Sequence, residues 1–424
     1  MFKIILTISI LFSSVLYSKP ITMEVRKSVD SLPTFSIENG FNDTKNNELV
    51  KLNKKMAIFL LKDVNVLSIF NLERKIENIE FSEKTVSTKN NKLNYVLRFS
   101  LTKENKKYTL RTKLFSNNKL ITKSIYRISS KNQIIFLSHN SIFDLNKYMG
   151  FEDIKWMKEK VILSKSLHGK RKRANILIAD YTLSYQFPIL KNGFNLFPKW
   201  ADDNKKYFYY TKITEDNLPQ LRKHGIYDGS DKLILTSEGM IVCSDVYKDF
   251  SKILVTMSPY GQPDIYEYIL NNKKKKRITK YSGIDVNGQY LNDKEIVFIS
   301  DRLGTPNVFM KPINNTLVDQ LIFNNKSNSS CTSFNDKIIY KSRETSKRFK
   351  RNTFNLHIIS TKTSSIRRLT SYGRNEYPKF SKDGKTVLYI KYYKGLSSLN
   401  ILRLDKNKSF AFNIKGGEIQ SIDW

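Results

Sequence analysis

Hydrophobic and polar positions follow two different periods along this chain, and the change of period divides it. After an apolar run at Ile4 to Leu16, the residues Leu49, Leu52, Met56, Phe59 and Leu60 fall at helical spacing behind the potential caps Asp43 and Thr44. Leu93, Tyr95, Leu97, Phe99 and Leu101 then recur at every second position, the signature of a half-buried strand, and Thr109 to Phe115 and Ile121 to Ile128 continue as strands. Ile135, Ser138, Ile142, Leu145 and Met149 make a second helical face that Gly150 stops. These elements predict a small α/β domain over residues 37–150, preceded by an arm over 19–36 that has no strong pattern.

Beyond residue 150 the pattern is a repeat. Its clearest copy is Tyr377-Pro378-Lys379-Phe380-Ser381-Lys382-Asp383-Gly384-Lys385 followed by Thr386 to Ile390. An aromatic residue closes a short strand, Asp-Gly makes a tight turn, and a β-rich run follows. Weaker copies place Trp200, Tyr290 and Phe334 at the aromatic position, and a degenerate one places Cys243 there. With Phe380 and Trp424 these anchors recur about every 45 residues, the period of a propeller blade. Each copy has a second half, such as Asp264 to Ile269 and then Arg277 to Thr279, so that four short strands make one unit that needs neighbours to bury both faces. Residues 156–199 supply one further unit, with strands at Val161 to Lys165, Asn175 to Asp180 and Phe187 to Leu190. Ser421 to Trp424 is a first strand with nothing after it. A surplus strand at one end and a deficit at the other are what closing a ring by strand exchange requires; an open solenoid would carry atypical capping repeats instead. The expectation is an all-β, six-bladed β-propeller over residues 151–424 behind the N-terminal α/β domain.

Composition removes several function classes. Hydrophobic residues make up 40% and charged residues 26% of the 424, the balance of a folded protein. Past the N-terminal run the best membrane-span candidate, Ile58 to Phe70, is broken by Lys62 and Asp63. The net charge of +34 points first to nucleic acid. Against that stands the N-terminus, where Lys3, the apolar Ile4 to Leu16 and the small Ser18 read as a secretory signal over residues 1–18. Export to the periplasm is expected, and with it no nucleic-acid partner. No lipobox-like cysteine follows. The basic runs Lys170 to Arg173, Lys273 to Arg277 and Lys347 to Arg351 fall between strands, as solvated hairpin tips that could also face an anionic envelope polymer or steer an acidic partner.

No catalytic set emerges. There is no G-x-S-x-G elbow, and His139, His168, His224 and His357 show no paired spacing, so each takes a structural or surface role, His139 at the edge of its helix's buried face. Asp301-Arg302 and Asp383-Gly384 read as turn chemistry repeated by the fold. Cys243 and Cys331 lie two repeats apart, too far for a disulfide between adjacent strands. Neither catalytic residues, metal ligands nor a cofactor are expected.

The order of signal, arm, α/β domain and repeats, together with Ser300 to Met310 and Leu369 to Ile390, resembles the TolB family, periplasmic components of the Tol-Pal envelope system. The resemblance implies a monomeric, non-enzymatic scaffold that maintains outer-membrane integrity and constriction during cell division. It implies that the arm, through Met23, Glu24, Val25, Arg26, Val29 and Asp30, binds a TolA-like protein anchored in the inner membrane. It further implies that a propeller mouth built by Glu238, Gly239 and Met240, by Asp285, Val286 and Asn287, and by Asn375 and Glu376 receives a Pal-like peptidoglycan-associated lipoprotein. Other outer-membrane proteins are additional expected partners. The rival reading is a periplasmic propeller enzyme or glycan-binding protein using the central channel, which requires convergent carboxylates or metal ligands on the innermost strands.

Overall fold

The computed structural model describes residues 32–43, 45–167, 173–324, 326–346 and 351–424. The signal segment and the arm candidates Met23, Glu24, Val25, Arg26, Val29 and Asp30 lie outside them, as do His168 and most of two basic runs. Among the described residues no helix is long and apolar enough to cross a membrane.

The N-terminal part is a sheet carrying two helices. Its strands are β1 (Thr34–Asn39), β2 (Asn71–Leu72), β3 (Glu77–Asn78), β4 (Tyr95–Glu104), β5 (Lys107–Ser116) and β6 (Lys119–Ile128), and the helices are α1 (Asn47–Leu67) and α2 (Ile135–Tyr148). The sheet order is β2-β1-β4-β5-β6, with β3 also on β1. Asn105-Lys106 and Asn117-Asn118 take positive φ at both turn positions, which suits the two-residue hairpin loops that join β4 to β5 and β5 to β6. The end of the expected arm is corrected here: Thr34, Phe35 and Ser36 belong to β1, because Phe35 is fully buried with its ring 4.7 Å from that of Phe70. The α1 cap is also displaced. Asn46 accepts from the Leu49 N–H at 3.1 Å, whereas Asp43 accepts from Lys45 one turn earlier. Asn53, buried on α1, exchanges two hydrogen bonds with the Leu101 backbone and fixes the helix on β4.

Residues 161–424 form antiparallel four-strand meanders set radially as a β-propeller. One is Ile241–Val246, Lys252–Met257, Asp264–Ile269 and Lys275–Arg277; the next is Asp285–Tyr290, Glu295–Ser300, Asn307–Pro312 and Asp319–Gln320. The closing strand Glu418–Asp423 pairs antiparallel with Val161–Ser166, placing Ser421 opposite Ser164 and Ile422 opposite Leu163. The two ends of the repeat array therefore share one sheet.

The N-terminal part packs on the propeller face that carries the turns after the first and third strands of each meander. One hydrophobic cluster runs through both, from Phe35, Met56 and Leu60 through Trp156 to Leu388, Ile401 and Ile422. Each such side chain, fully buried, contributes about 1.5–3 kcal/mol. A polar knot sits within it. Asp63 of α1 accepts from Ser138 Oγ at 2.5 Å, from His139 Nδ1 at 2.9 Å and from the Tyr181 hydroxyl, while His139 Nε2 lies 3.3 Å from Asp180 Oδ2 of the propeller. His139 is thus wholly buried rather than at the edge of its helical face.

Candidate functional site

The channel is lined by the first strand of each meander: Phe194–Trp200, Ile241–Val246, Asp285–Tyr290, Asn328–Phe334, Arg374–Phe380 and Glu418–Asp423. Every one of these strands slips register against its neighbour, between Leu196 and Lys199, Cys243 and Asp245, Val286 and Gln289, Ser329 and Cys331, Glu376 and Lys379, and Ile419 and Ser421. Phe197, Asn287, Ser330 and Tyr377 take φ between 50° and 57° there. A bulge re-aims side chains, and these turn toward the axis. They help to enclose a cavity of about 280 Å³ whose walls include Met240, Cys243, Asn287, Cys331, Glu376 and Tyr377.

The residue before each strand-closing anchor is polar: Lys199, Asp245, Gln289, Ser333, Lys379 and Asp423. This ring corrects one repeat anchor. In the degenerate copy Val246 closes the strand, opposite Ile253, and Cys243 lies ahead of the bulge. Ring members bind their neighbours in turn. Asp423 accepts the Trp200 N–H at 3.0 Å, Asp245 accepts the Tyr290 N–H at 2.9 Å, and Gln289 donates to the Ser244 carbonyl at 2.5 Å. The Lys199 ammonium sits between Asp423 at 3.2 Å and Asp245 at 3.3 Å. Burial opposes its charge, but the two carboxylates overcome burial and hold its pKa above the usual lysine range. Lys379, 3.9 Å from the same Asp423 oxygen, is held below that range by burial and then by the charge of Lys199. Burial pushes the Cys331 thiol up to about 12 and raises that of Cys243 as well, so both remain thiols; both are free.

The sequence-expected mouth residues separate into two groups. Met240, Val286, Asn287 and Glu376 line the cavity, where Glu376 accepts from Lys341 at 3.1 Å, and Glu238 is exposed on the adjoining loop. Asp285 and Asn375 are fully buried. Asp285 holds Arg302 with both oxygens at 3.1 Å, and Asn375 donates to the carbonyls of Phe354 and Tyr372. They position the loops and do not themselves face outward.

Around the mouth lies a rim that motif reading missed. In an up-and-down meander the loops entering the first strand and joining the second to the third open on one face. These loops and the strand ends beside them carry the exposed Leu218, Met240, Tyr260, Ile284, Leu303, Phe323, Tyr372, Tyr393 and Leu396, with Tyr260 89% and Phe323 76% accessible. On the loops of the opposite face the large apolar side chains this exposed, among the described residues, are Tyr227 and Leu317. Exposed apolar side chains gathered on one face in this way mark an interaction site. The only sequence signal was the presence of a large apolar residue in each of several polar loops.

The sequence profile of the TolB beta propeller domain matches residues 158–424. The Tol-Pal system protein TolB of Wolinella succinogenes is 36% identical over 419 residues, covering 97% of each chain. That of Helicobacter hepaticus is 35% identical over 422 residues, covering 98% of each. Among solved structures, the crystal structure of TolB from Acinetobacter baumannii superposes with a TM-score of 0.71 at 18% identity, covering 93% of this chain and 97% of that one, a likeness of fold.

Proposed function

The chain belongs to the TolB family of Tol-Pal system proteins, and we propose that it is a periplasmic, non-enzymatic scaffold, a ring of six blades behind an α/β domain of residues 37–150, that joins two partners. An N-terminal arm with Met23, Glu24, Val25, Arg26, Val29 and Asp30 takes a TolA-like protein. The propeller mouth takes a Pal-like lipoprotein through Glu238, Met240, Val286, Asn287 and Glu376, which supports outer-membrane integrity and constriction at division. Carrying this reading is the asymmetry of the propeller: the face opposite the N-terminal part is rimmed by exposed apolar side chains around an open cavity. Rigid mouths bind with little rearrangement, whereas an arm that orders on binding loses conformational entropy.

The double substitution Tyr260→Ser and Phe323→Ser removes two rim side chains without touching the core. It should weaken binding of the soluble domain of a Pal-like protein about tenfold or more by isothermal titration, while Tyr227→Ser with Leu317→Ser on the other face leaves it unchanged; the reverse result sinks the assignment. Deleting residues 19–31, and no further because Phe35 is core, should abolish TolA-like binding and spare Pal-like binding. The rival, a channel enzyme or glycan binder, has one observation to build on. Asp245 and Asp423 do converge in the channel, but Lys199 and backbone N–H groups already occupy them.

A further inference from the structure

A second cavity, of about 370 Å³, opens between the outer strand Lys275–Arg277 of one meander and the strand Asn307–Pro312 of the next. Five cationic side chains line it: Lys276, Arg277, Lys280, Arg302 and Lys311. No carboxylate is among its lining residues. Two carboxylates stand behind it. Asp264, buried, pairs with Arg277, and Asp285, buried, grips Arg302. Five charges against two leave three uncompensated.

The cations are held in place. Arg277 Nε donates to the Thr279 carbonyl at 3.0 Å, and Arg302 Nε donates to Ser300 Oγ at 2.9 Å with its guanidinium 5.1 Å from the centre of the Phe309 ring. Lys311 Nζ spends its three protons on the carbonyls of Ile278, Pro312 and Asn315 at 2.7–3.1 Å. Both arginines keep a second amino group outside these bonds, and Lys276 and Lys280 reach in from the exposed edge. We infer that this groove binds a phosphate-bearing anion. Forked guanidinium groups and the ammonium groups of Lys280 and of Lys276, which donates to Asn314 Oδ1 at 2.6 Å, around one pocket match the several charged oxygens of a phosphate better than the two of a carboxylate. Lys311 supports this independently: burial, and then the charges of Lys276 and Arg302, hold its pKa below the lysine range, a repulsion that a bound anion relieves.

Phosphate groups reach such a site either on a soluble molecule or on a lipid headgroup, and the test separates them. Inorganic pyrophosphate is titrated calorimetrically at low salt into the full chain, and flotation is measured with vesicles of phosphatidylglycerol in phosphatidylcholine. At least one source should bind, with affinity falling as salt rises. Lys276→Gln with Lys280→Gln, two exposed positions, should weaken that binding about tenfold. Lys119→Gln with Lys123→Gln on β6 removes the same charge elsewhere and should change it by no more than about twofold. Binding of pyrophosphate alone assigns a soluble phosphate, and binding of the vesicles alone assigns a headgroup; either supports the site. Absence of both, or an equal loss in the two double variants, overturns it, the second by reducing binding to the overall charge of +34.

Discussion

His139 lies out of solvent with Asp63 on one ring nitrogen and Asp180 on the other. Burial alone would depress its pKa, but the two carboxylates reverse that and raise it from 6.5 to about 9, while the imidazolium in turn holds Asp180 below the usual carboxylate range against burial. The sign follows. A raised pKa contributes stability that is fully present below pH 6.5 and is lost as pH rises through about 9, by up to about 3 kcal/mol. Asp180 acts at the other end, with stability present above the ordinary carboxylate pKa and lost as pH falls through its lower folded value. Urea midpoints should therefore decline from pH 6.5 to 9 in the natural chain, and His139→Gln should be less stable at pH 6 and nearly flat across that window. An unchanged decline in the variant would assign the effect to other groups. The sequence placed His139 on a helical face and could go no further, because its partners are 76 and 41 residues away. The channel lysines illustrate the same limit: Lys199 and Lys379 stand in the repeat motif, yet their carboxylate partners come from other meanders.

Elements were more legible than contacts. The alternation from Leu93 to Leu101 located β4, and the aromatic anchors located the inner strands, but β4 is not the half-buried strand expected: Val96, Arg98 and Ser100 on its second face are buried as well. Bulges left no such trace, since Phe197 and Tyr377 take a left-handed φ that their residue types do not announce. Where glycine does announce it, packing adds a second constraint. Gly384 has φ +68°, and a Cβ there would overlap the ring of Phe334, which itself lies 5.8 Å from that of Phe380. Gly384→Ala should cost about 2–4 kcal/mol, combining backbone strain with overpacking. In a Phe334→Ala background the same change should cost only about 1 kcal/mol, the strain alone. Chemical denaturation of the four proteins of this cycle measures the difference, and equal costs in both backgrounds would place the constraint entirely in the turn.

At the scale of the molecule, the expectation of two separate domains meets an interface built like a core. Domains joined by polar contacts usually unfold independently. Here a single apolar cluster includes Met56 and Leu60 of α1, Ile142 of α2 and Leu388, Ile401 and Ile422 of the propeller. Trp156 stands at the junction, its ring 5.4 Å from Tyr181 and 5.9 Å from Trp424. Arg403 of the propeller reaches across to the Leu67 carbonyl at 3.2 Å, and the His139 knot adds charge-assisted bonds along the same seam. Separating the parts would expose all of this together, so neither should melt far below the other. Calorimetry of the full chain should show one transition with equal calorimetric and van't Hoff enthalpies. Trp156→Ala, costing about 3–5 kcal/mol at the seam, should lower that transition and split it, the less stable part unfolding first. Two resolved transitions in the natural chain would show that the seam is merely a contact, whereas a Trp156→Ala transition that shifts without dividing would show that the coupling does not rest on Trp156.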